Sequence, residues 1–185
     1  QDALTGKRIA GLTVEDVEKH GGSWRLGSIT QTPEVFERLV GGVVAGAESF
    51  ANTVFLPTNT GHALALGYIS GKVLYRPPGQ PLPKRTCLSI RFADDSHLTC
   101  LITLWGLVRV LGDEDRREYV LRWYGQAVEP GSEQCTWEGF RDAADAVSDA
   151  KLSVKRFLHN FGPCHYVAGI DSGYAIEILH RAKVH

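Results

Sequence analysis

The sequence has no methionine and few cysteines: four among 185 residues. They are widely separated and form no C-x-x-C pair: Cys87, Cys100, Cys135 and Cys164. That spacing argues against a zinc site and, in an intracellular protein, for reduced thiols, although small buried core residues are the plainer interpretation. Because a native start supplies a methionine, we expect the sequence to be a piece of a longer protein.

Long apolar runs are also missing. No stretch approaches the ~18 residues that a membrane-spanning helix needs, and no secretory apolar region opens the chain. We therefore expect a cytoplasmic protein without a membrane partner. The formal net charge is −1, which excludes nucleic-acid binding through overall basicity.

The basic residues are nevertheless clustered in two stretches that contain no acid. The first holds Lys72, Arg76, Lys84, Arg85 and Arg91, and the second holds Lys151, Lys155 and Arg156. Clustered positive charge indicates a phosphate-binding surface, whereas a solvated face is the alternative without function. The histidines show no spacing typical of a metal site.

Short apolar runs separated by turn residues dominate the chain up to Gly112, a pattern typical of a β-sandwich or barrel. The strand-like runs are 7–14, 53–56, 62–68, 72–75, 87–92, 97–103 and 107–111. Thr32 as N-cap and Pro33 in the first turn predict a helix over 33–40, and residues 1–6 resemble the tail of another helix.

The pattern becomes helical after Gly112. It predicts one helix over 113–124 and another behind Thr136 as N-cap. We therefore predict an α+β protein with a β-rich domain over 1–112 and a helical domain over 113–185.

The last stretch, 151–185, predicts two helices joined by tight turns. The apolar face of the first helix would hold Val154, Phe157, Leu158 and Phe161, and that of the second Tyr174, Ile178 and Ala182. Ser172 is the predicted N-cap of the second helix. Gly169 and Gly173 permit a close backbone approach, so that amide N–H groups can bind a phosphate.

The segments SVKRFL (153–158) and VAGIDSGYAIEILHRAKVH (167–185) resemble the helix–two-turn–helix region of the formamidopyrimidine-DNA glycosylase and endonuclease VIII family. The matching positions are Val167, Ala168, Gly169, Ile170, Tyr174, Glu177, Ile178, Leu179, Ala182 and His185. The stretch 66–98 also resembles the family's β-rich half. The resemblance implies a β-sandwich domain followed by a helix–two-turn–helix domain, and a monomer that binds double-stranded DNA.

The resemblance also implies DNA-contacting residues. They are Lys155, Ser172, Gly169 and Tyr174 in the helical part, Lys72, Arg76, Lys84 and Arg85 in the basic stretch, and Trp105 in the place of a wedge residue that stacks on the orphaned base. Each has a plainer alternative: Lys155 as a solvated helix residue, Ser172 as a simple N-cap, Trp105 as a core tryptophan.

Several positions depart from the family pattern. Asp171 replaces a glycine, Ser172 replaces the phosphate-binding asparagine, and Asn52 lies where the family has a lysine. The family's wedge methionine and arginine align with Ile69 and with Thr103 or Leu104. The amino-terminal proline nucleophile with its glutamate, and the carboxy-terminal zinc finger, have no counterpart in this sequence, so we expect no cofactor in this chain and leave the catalytic residues unassigned.

Three functional hypotheses follow. The first is a DNA repair protein that resembles base-excision glycosylases with AP lyase activity and binds damaged duplex DNA. The second is a catalytically degenerate member of the same family that binds DNA without cutting it, which the departures favour. RNA binding is a third, against which the β-rich half argues.

Overall fold

The computed structural model describes residues 3–15, 31–103, 106–147, 152–159 and 166–184. The chain divides into two compact units. The β unit comprises Gln1–Ser49 and Thr53–Arg116, and the helical unit comprises Phe50–Asn52 and Arg117–His185. The predicted domain boundary near residue 112 remains a prediction.

The β unit contains two antiparallel sheets. Its strands are β1 (Ile9–Val14), β2 (Glu48–Phe50), β3 (Thr53–Pro57), β4 (His62–Gly67), β5 (Gly71–Arg76), β6 (Leu88–Phe92), β7 (His97–Ile102) and β8 (Leu107–Gly112). One sheet has the order β1-β6-β7-β5 and the other β2-β3-β4-β8. Strand pairs such as β5 with β7 and β4 with β8 are antiparallel.

Apolar side chains from both sheets form one core. Leu88, Ile90 and Ile102 of the first sheet and Leu64 and Val108 of the second belong to the same buried cluster. Alternation along a strand sends every second side chain to this shared interior. The two sheets therefore form the predicted β-sandwich, and with the helices the chain is an α+β protein.

A short helical segment packs on the β unit. Helix α1 (Pro33–Phe36) continues as a 3₁₀ turn over Glu37–Leu39. Phe36 and Leu39 are fully buried in the sandwich core. The helix predicted over 33–40 is thus shorter, and its second half is a 3₁₀ helix. Residues 3–6, predicted as the tail of a helix, instead form a turn that ends at Gly6 with φ 82°.

The remaining helices are α2 (Asp113–Tyr124), α3 (Trp137–Ala146), α4 (Val154–Leu158) and α5 (Ser172–Arg181). Phe157 and Leu158 of α4 and Ala175 of α5 are buried together, with Phe140 of α3 and Leu179 packed against them. The predicted cap of α3 is confirmed, because the Thr136 hydroxyl accepts from the N–H of Gly139 at 3.1 Å.

The predicted inward face of α5 was wrong. Tyr174 is 66% exposed and Ile178 41%, while Ala175 is fully buried. Apolar residues occupy more than one face of this helix, and the packing against α4 selects the face that carries the small Ala175. In α4, Val154 is 50% exposed, and Phe161 lies outside the described residues.

Across the described residues, none of the helices is long and apolar enough to cross a membrane. The same residues contain no cluster of three or more His, Cys, Asp or Glu side chains that could hold a metal ion.

Candidate nucleic-acid interface

Strand register places basic residues side by side on the outer face of the first sheet. His97 of β7 lies directly opposite Arg76 of β5 and also opposite Arg91 of β6. Directly paired residues point to the same face, so these three side chains form a row across three strands. Lys72, four residues before Arg76, lies on this same face, which we call the cationic face (Lys72, Arg76, Arg91 and His97).

Most of this charge is uncompensated within the described ranges. Arg91 pairs with Asp95 at 3.3 Å, in an exposed ion pair that is worth little in water. Lys72 and Arg76 have no acidic partner among the described residues. The Nε atom of Arg76 is buried and finds no acceptor there. Lysine and arginine side chains without an acidic partner are available to bind an anionic ligand.

The other predicted residues of the basic stretch lie outside the sheet. Lys84 and Arg85 are exposed in the connection between β5 and β6. Arg91 was predicted as part of the basic stretch but not among the DNA-contacting residues, and His97 was not predicted for the site. Only the register of β7 with both neighbours reveals that these residues share a row. Trp105, the predicted wedge residue, lies outside the described residues.

In the helical unit, hydrogen bonds of the backbone and of the Tyr166 hydroxyl hold the segment before α5 in place. Val128 donates to Tyr166 O and Ala168 donates to Val128 O, both at 2.8 Å, so that Val128 and Val167 form a parallel bridge. The Tyr166 hydroxyl donates to Gln134 O at 2.8 Å and accepts from the N–H of Thr136 at 3.2 Å. These bonds hold the chain that leads into Gly169.

The absence of a side chain at Gly139 allows the Tyr166 ring to pack directly against α3. A Cβ added at Gly139 would lie 2.8 Å from Cζ of the tyrosine ring, closer than side chains pack. Phe140 packs edge-to-face against both Tyr166, at 6.2 Å, and Phe157, at 5.4 Å. This aromatic cluster therefore connects α3 to α4 and to the turn before α5.

Gly169 adopts a backbone conformation that favours glycine, with φ 84°, and a Cβ there would lie 3.3 Å from Cα of Ala51. The close approach predicted for this glycine is thus made to the chain itself. Nearby, the N–H of Ala51 donates to Oε1 of Glu129 at 3.0 Å. An open pocket of about 460 Å³ lies here, lined by Ala51, Asn52, Glu129, Pro130, Gly131, Ser132, Ala168 and Gly169.

The predicted N-cap of α5 was also wrong. Asp171 caps the helix, its side chain accepting from the N–H of Tyr174 at 3.0 Å, and Ser172 is the first helical residue. Asp and Ser are equally good caps, so local preference could not choose between them. The carboxylate therefore lies where the positive end of the helix would otherwise attract an anion.

Lys155 lies in the first turn of α4, behind Ser153, whose hydroxyl caps that helix at 3.3 Å. Lys155, Ser172 and Tyr174 are all exposed, and Lys155 has no acidic partner among the described residues. Within the described residues, α4 thus presents two exposed cations without an acidic partner, Lys155 and Arg156, and α5 begins with its own carboxylate.

Comparison with known proteins gave matches among solved structures. No family model matches the chain, and the search of curated proteins found no match. The solved structures include Lactococcus lactis Fpg (MutM) in complex with DNA that contains N7-benzyl-Fapy-dG, at 18% identity and TM-score 0.75, covering 98% of this chain and 62% of that protein.

A second match is Lactococcus lactis formamidopyrimidine-DNA glycosylase bound non-covalently to DNA with an AP site, at 18% identity and TM-score 0.76, covering 100% of this chain and 65% of that one. A third is MutM in complex with DNA that contains carbocyclic 8-oxo-G, also at 18% identity and TM-score 0.76, with coverages of 98% and 63%. The chain spans less than two thirds of these proteins. It has the fold of formamidopyrimidine-DNA glycosylase.

Proposed function

We propose that this chain binds duplex DNA as part of a DNA repair protein of the base-excision type. The observation that carries the proposal is the cationic face, where Lys72, Arg76 and His97 lie together and the two cations have no acidic partner in the described ranges. Supporting it, the solved structures of the same fold are complexes with DNA. Phosphate contacts by such cations supply affinity and position the protein on the duplex.

The residues proposed to contact phosphates are Lys72, Arg76, Lys84, Arg85 and Lys155, with the backbone N–H and hydroxyl of Ser172 as donors at the start of α5. Gly169 shapes the turn that positions this helix start, and the exposed Tyr174 offers a ring and a hydroxyl beside it. Trp105 remains proposed as a residue that stacks on a base.

A second candidate function is DNA binding without base excision. Asn52, which lines the pocket of the helical unit, carries a carboxamide where the resemblance implies a lysine. Asp171 places a negative charge at the helix start proposed to bind a phosphate. The missing amine at Asn52 weakens a catalytic role. Asp171 repels a phosphate at one contact only, and the cationic face remains available to bind the duplex.

Replacing Lys155 tests the docking surface. We expect Lys155→Ala to weaken binding to a duplex with an abasic-site analogue by about fivefold, since a charge pair in water contributes about 1 kcal/mol at 4 Å. The log–log dependence of affinity on salt should become shallower by about 1, because one fewer counterion is released. Fluorescence anisotropy across a salt series measures both quantities.

Arg122→Ala is the matched control, because Arg122 is also an exposed cation of the helical unit. It should leave the salt slope unchanged. An unaltered affinity and slope in Lys155→Ala would show that α4 does not contact the DNA. If Arg122→Ala lowers both as much as Lys155→Ala, binding is diffuse and depends on overall charge.

Replacing Asp171 tests the helix start. Asn caps a helix as well as Asp, so Asp171→Asn should keep α5 intact while removing one negative charge. We expect duplex affinity to rise by about fivefold, corresponding to about 1 kcal/mol of relieved repulsion. Asp145→Asn, the same charge change at an exposed position of α3, should have less than half that effect. If Asp171→Asn and Asp145→Asn raise duplex affinity equally, no phosphate is bound at the start of α5.

A further inference from the structure

Two of the cysteines that sequence analysis treated as isolated are neighbours in the β unit. Cys87 directly precedes β6, and its N–H donates to the carbonyl oxygen of Cys100 at 2.8 Å, although the register pairs Cys100 with Leu88. Two consecutive residues thus oppose a single residue of β7, which is a β-bulge. The bulge breaks the alternation of faces, so that Cys87 and Leu88 are both buried, with Cys87 8% and Leu88 1% exposed.

The bulge brings the two thiols together. Cys100 is 1% exposed, and both the backbone N–H and the sulfur of Cys87 contact its carbonyl oxygen, so the two cysteines are neighbours across the strands. Cys87 Sγ lies 3.1 Å from the carbonyl oxygen of Cys100, to which the thiol form can donate. Neighbouring strands lie about 4.7–4.9 Å apart, and a disulfide joins residues whose Cα atoms are about 4.4–6.8 Å apart.

The two sulfurs differ in character. A hydrogen bond from the Cys100 thiol, aided by backbone N–H groups, lowers the pKa of Cys87 below its ordinary value. The same contact and burial raise the pKa of Cys100 well above its ordinary value. Cys87, the more exposed of the two, is therefore suited to act as the attacking thiolate and Cys100 as the thiol that resolves the product.

We propose that Cys87 and Cys100 form an oxidisable dithiol, which hydrogen peroxide converts into an internal disulfide. The Cys87 thiolate attacks one peroxide oxygen, the O–O bond breaks, hydroxide leaves, and Cys87 becomes a sulfenic acid. The Cys100 sulfur then attacks the Cys87 sulfur, the S–O bond breaks, and the hydroxyl departs as water with the proton of Cys100. Two thiols are oxidised and one peroxide is reduced to two waters.

The test is peroxide treatment of the folded full chain, with Cys135→Ser and Cys164→Ser as the background. We expect the intact mass to fall by two hydrogen atoms, peptide mapping to join Cys87 to Cys100, and dithiothreitol to restore both thiols. Substituting a buried cysteine can unfold the protein, so the deciding experiment is the peptide mapping of the protein that retains both Cys87 and Cys100. Retention of both thiols in the folded protein overturns it.

Cys100→Ala assigns the roles within the pair. Without the resolving thiol, Cys87 should accumulate as a sulfenic acid that dimedone labels, and the loss of two hydrogen atoms should disappear. Circular dichroism first establishes that this variant is folded. If Cys87 in the folded variant remains unlabelled while the unfolded chain is labelled, Cys87 is not the attacking thiolate and the proposed mechanism is wrong.

Discussion

Incubated with duplexes that carry an oxidised purine, an oxidised pyrimidine or an abasic site, the 185-residue chain is expected to leave both strands intact. Lyase chemistry of this type needs an amine that attacks C1′ of the sugar. Asn52 offers only a carboxamide, whose nitrogen lone pair is delocalised into the carbonyl. None of the described residues that line the pocket around Asn52 carries a side-chain amine.

Base extrusion is expected to be weak as well. Unstacking a base costs a few kcal/mol, which wedge residues normally offset. The sequence has Leu104 or Thr103 where the resemblance implies an arginine. Without that cation, the opened duplex lacks one stabilising contact.

Denaturing electrophoresis of end-labelled strands and borohydride trapping measure the outcome. A formamidopyrimidine-DNA glycosylase with known activity, assayed in parallel, establishes that the substrates are competent. Binding to the same duplexes without cleavage would favour the second candidate function. A borohydride-trapped adduct of this chain would contradict the prediction, and mapping the adduct would identify the amine.

We expect Gly71→Ala to be the most destabilising single substitution considered for the β unit. Gly71 begins β5 opposite Ile102 of β7. A Cβ there would overlap the carbonyl oxygen of Leu101 and lie 2.9 Å from its carbonyl carbon. Both are backbone atoms of the neighbouring strand, so no rotamer change relieves the overlap and the strands must separate. The expected loss of unfolding free energy is about 3 kcal/mol or more.

Gly11→Ala is the matched control, because Gly11 also lies in a strand of the same sheet and an added Cβ meets nothing within 4 Å. That variant should be neutral or more stable by about 0.5–1 kcal/mol, since alanine loses less backbone entropy. Denaturant titration followed by circular dichroism gives both values. Equal midpoints for the two variants would mean that β5 and β7 are not paired as described.

Sequence patterning predicted most strands of the sandwich, because they are short runs of five or six residues separated by turn residues. The predicted run 72–75 became β5, which is one residue longer at each end, and the run 97–103 became β7, which ends one residue earlier. The strand that was missed, β2, has three residues, too few for a period of two to be visible. Its pairing with β3 is a tertiary contact.

The helical sequence pattern predicted which segments form helices, but it predicted less well which face of a helix is buried. The helix α2 was predicted with its observed ends, since a charged stretch follows Gly112 directly. In α5, by contrast, the cap and the inward face were both wrong. Asp171 and Ser172 are equivalent as caps in isolation, and apolar residues on several faces left the choice to the partner helix.

The sequence by itself determined the strand-rich first half, the helical second half, the Thr136 cap and the clustering of basic residues, because these depend on local propensity and short periods. Tertiary structure decided which residues meet across strands. The row of Arg76, His97 and Arg91 arises from register, and the contact between Cys87 and Cys100 arises from a bulge. Neither contact can be predicted from the local sequence, because strand pairing brings together residues that are far apart in the chain, and the periodicity of side chains within a strand does not reveal its partner.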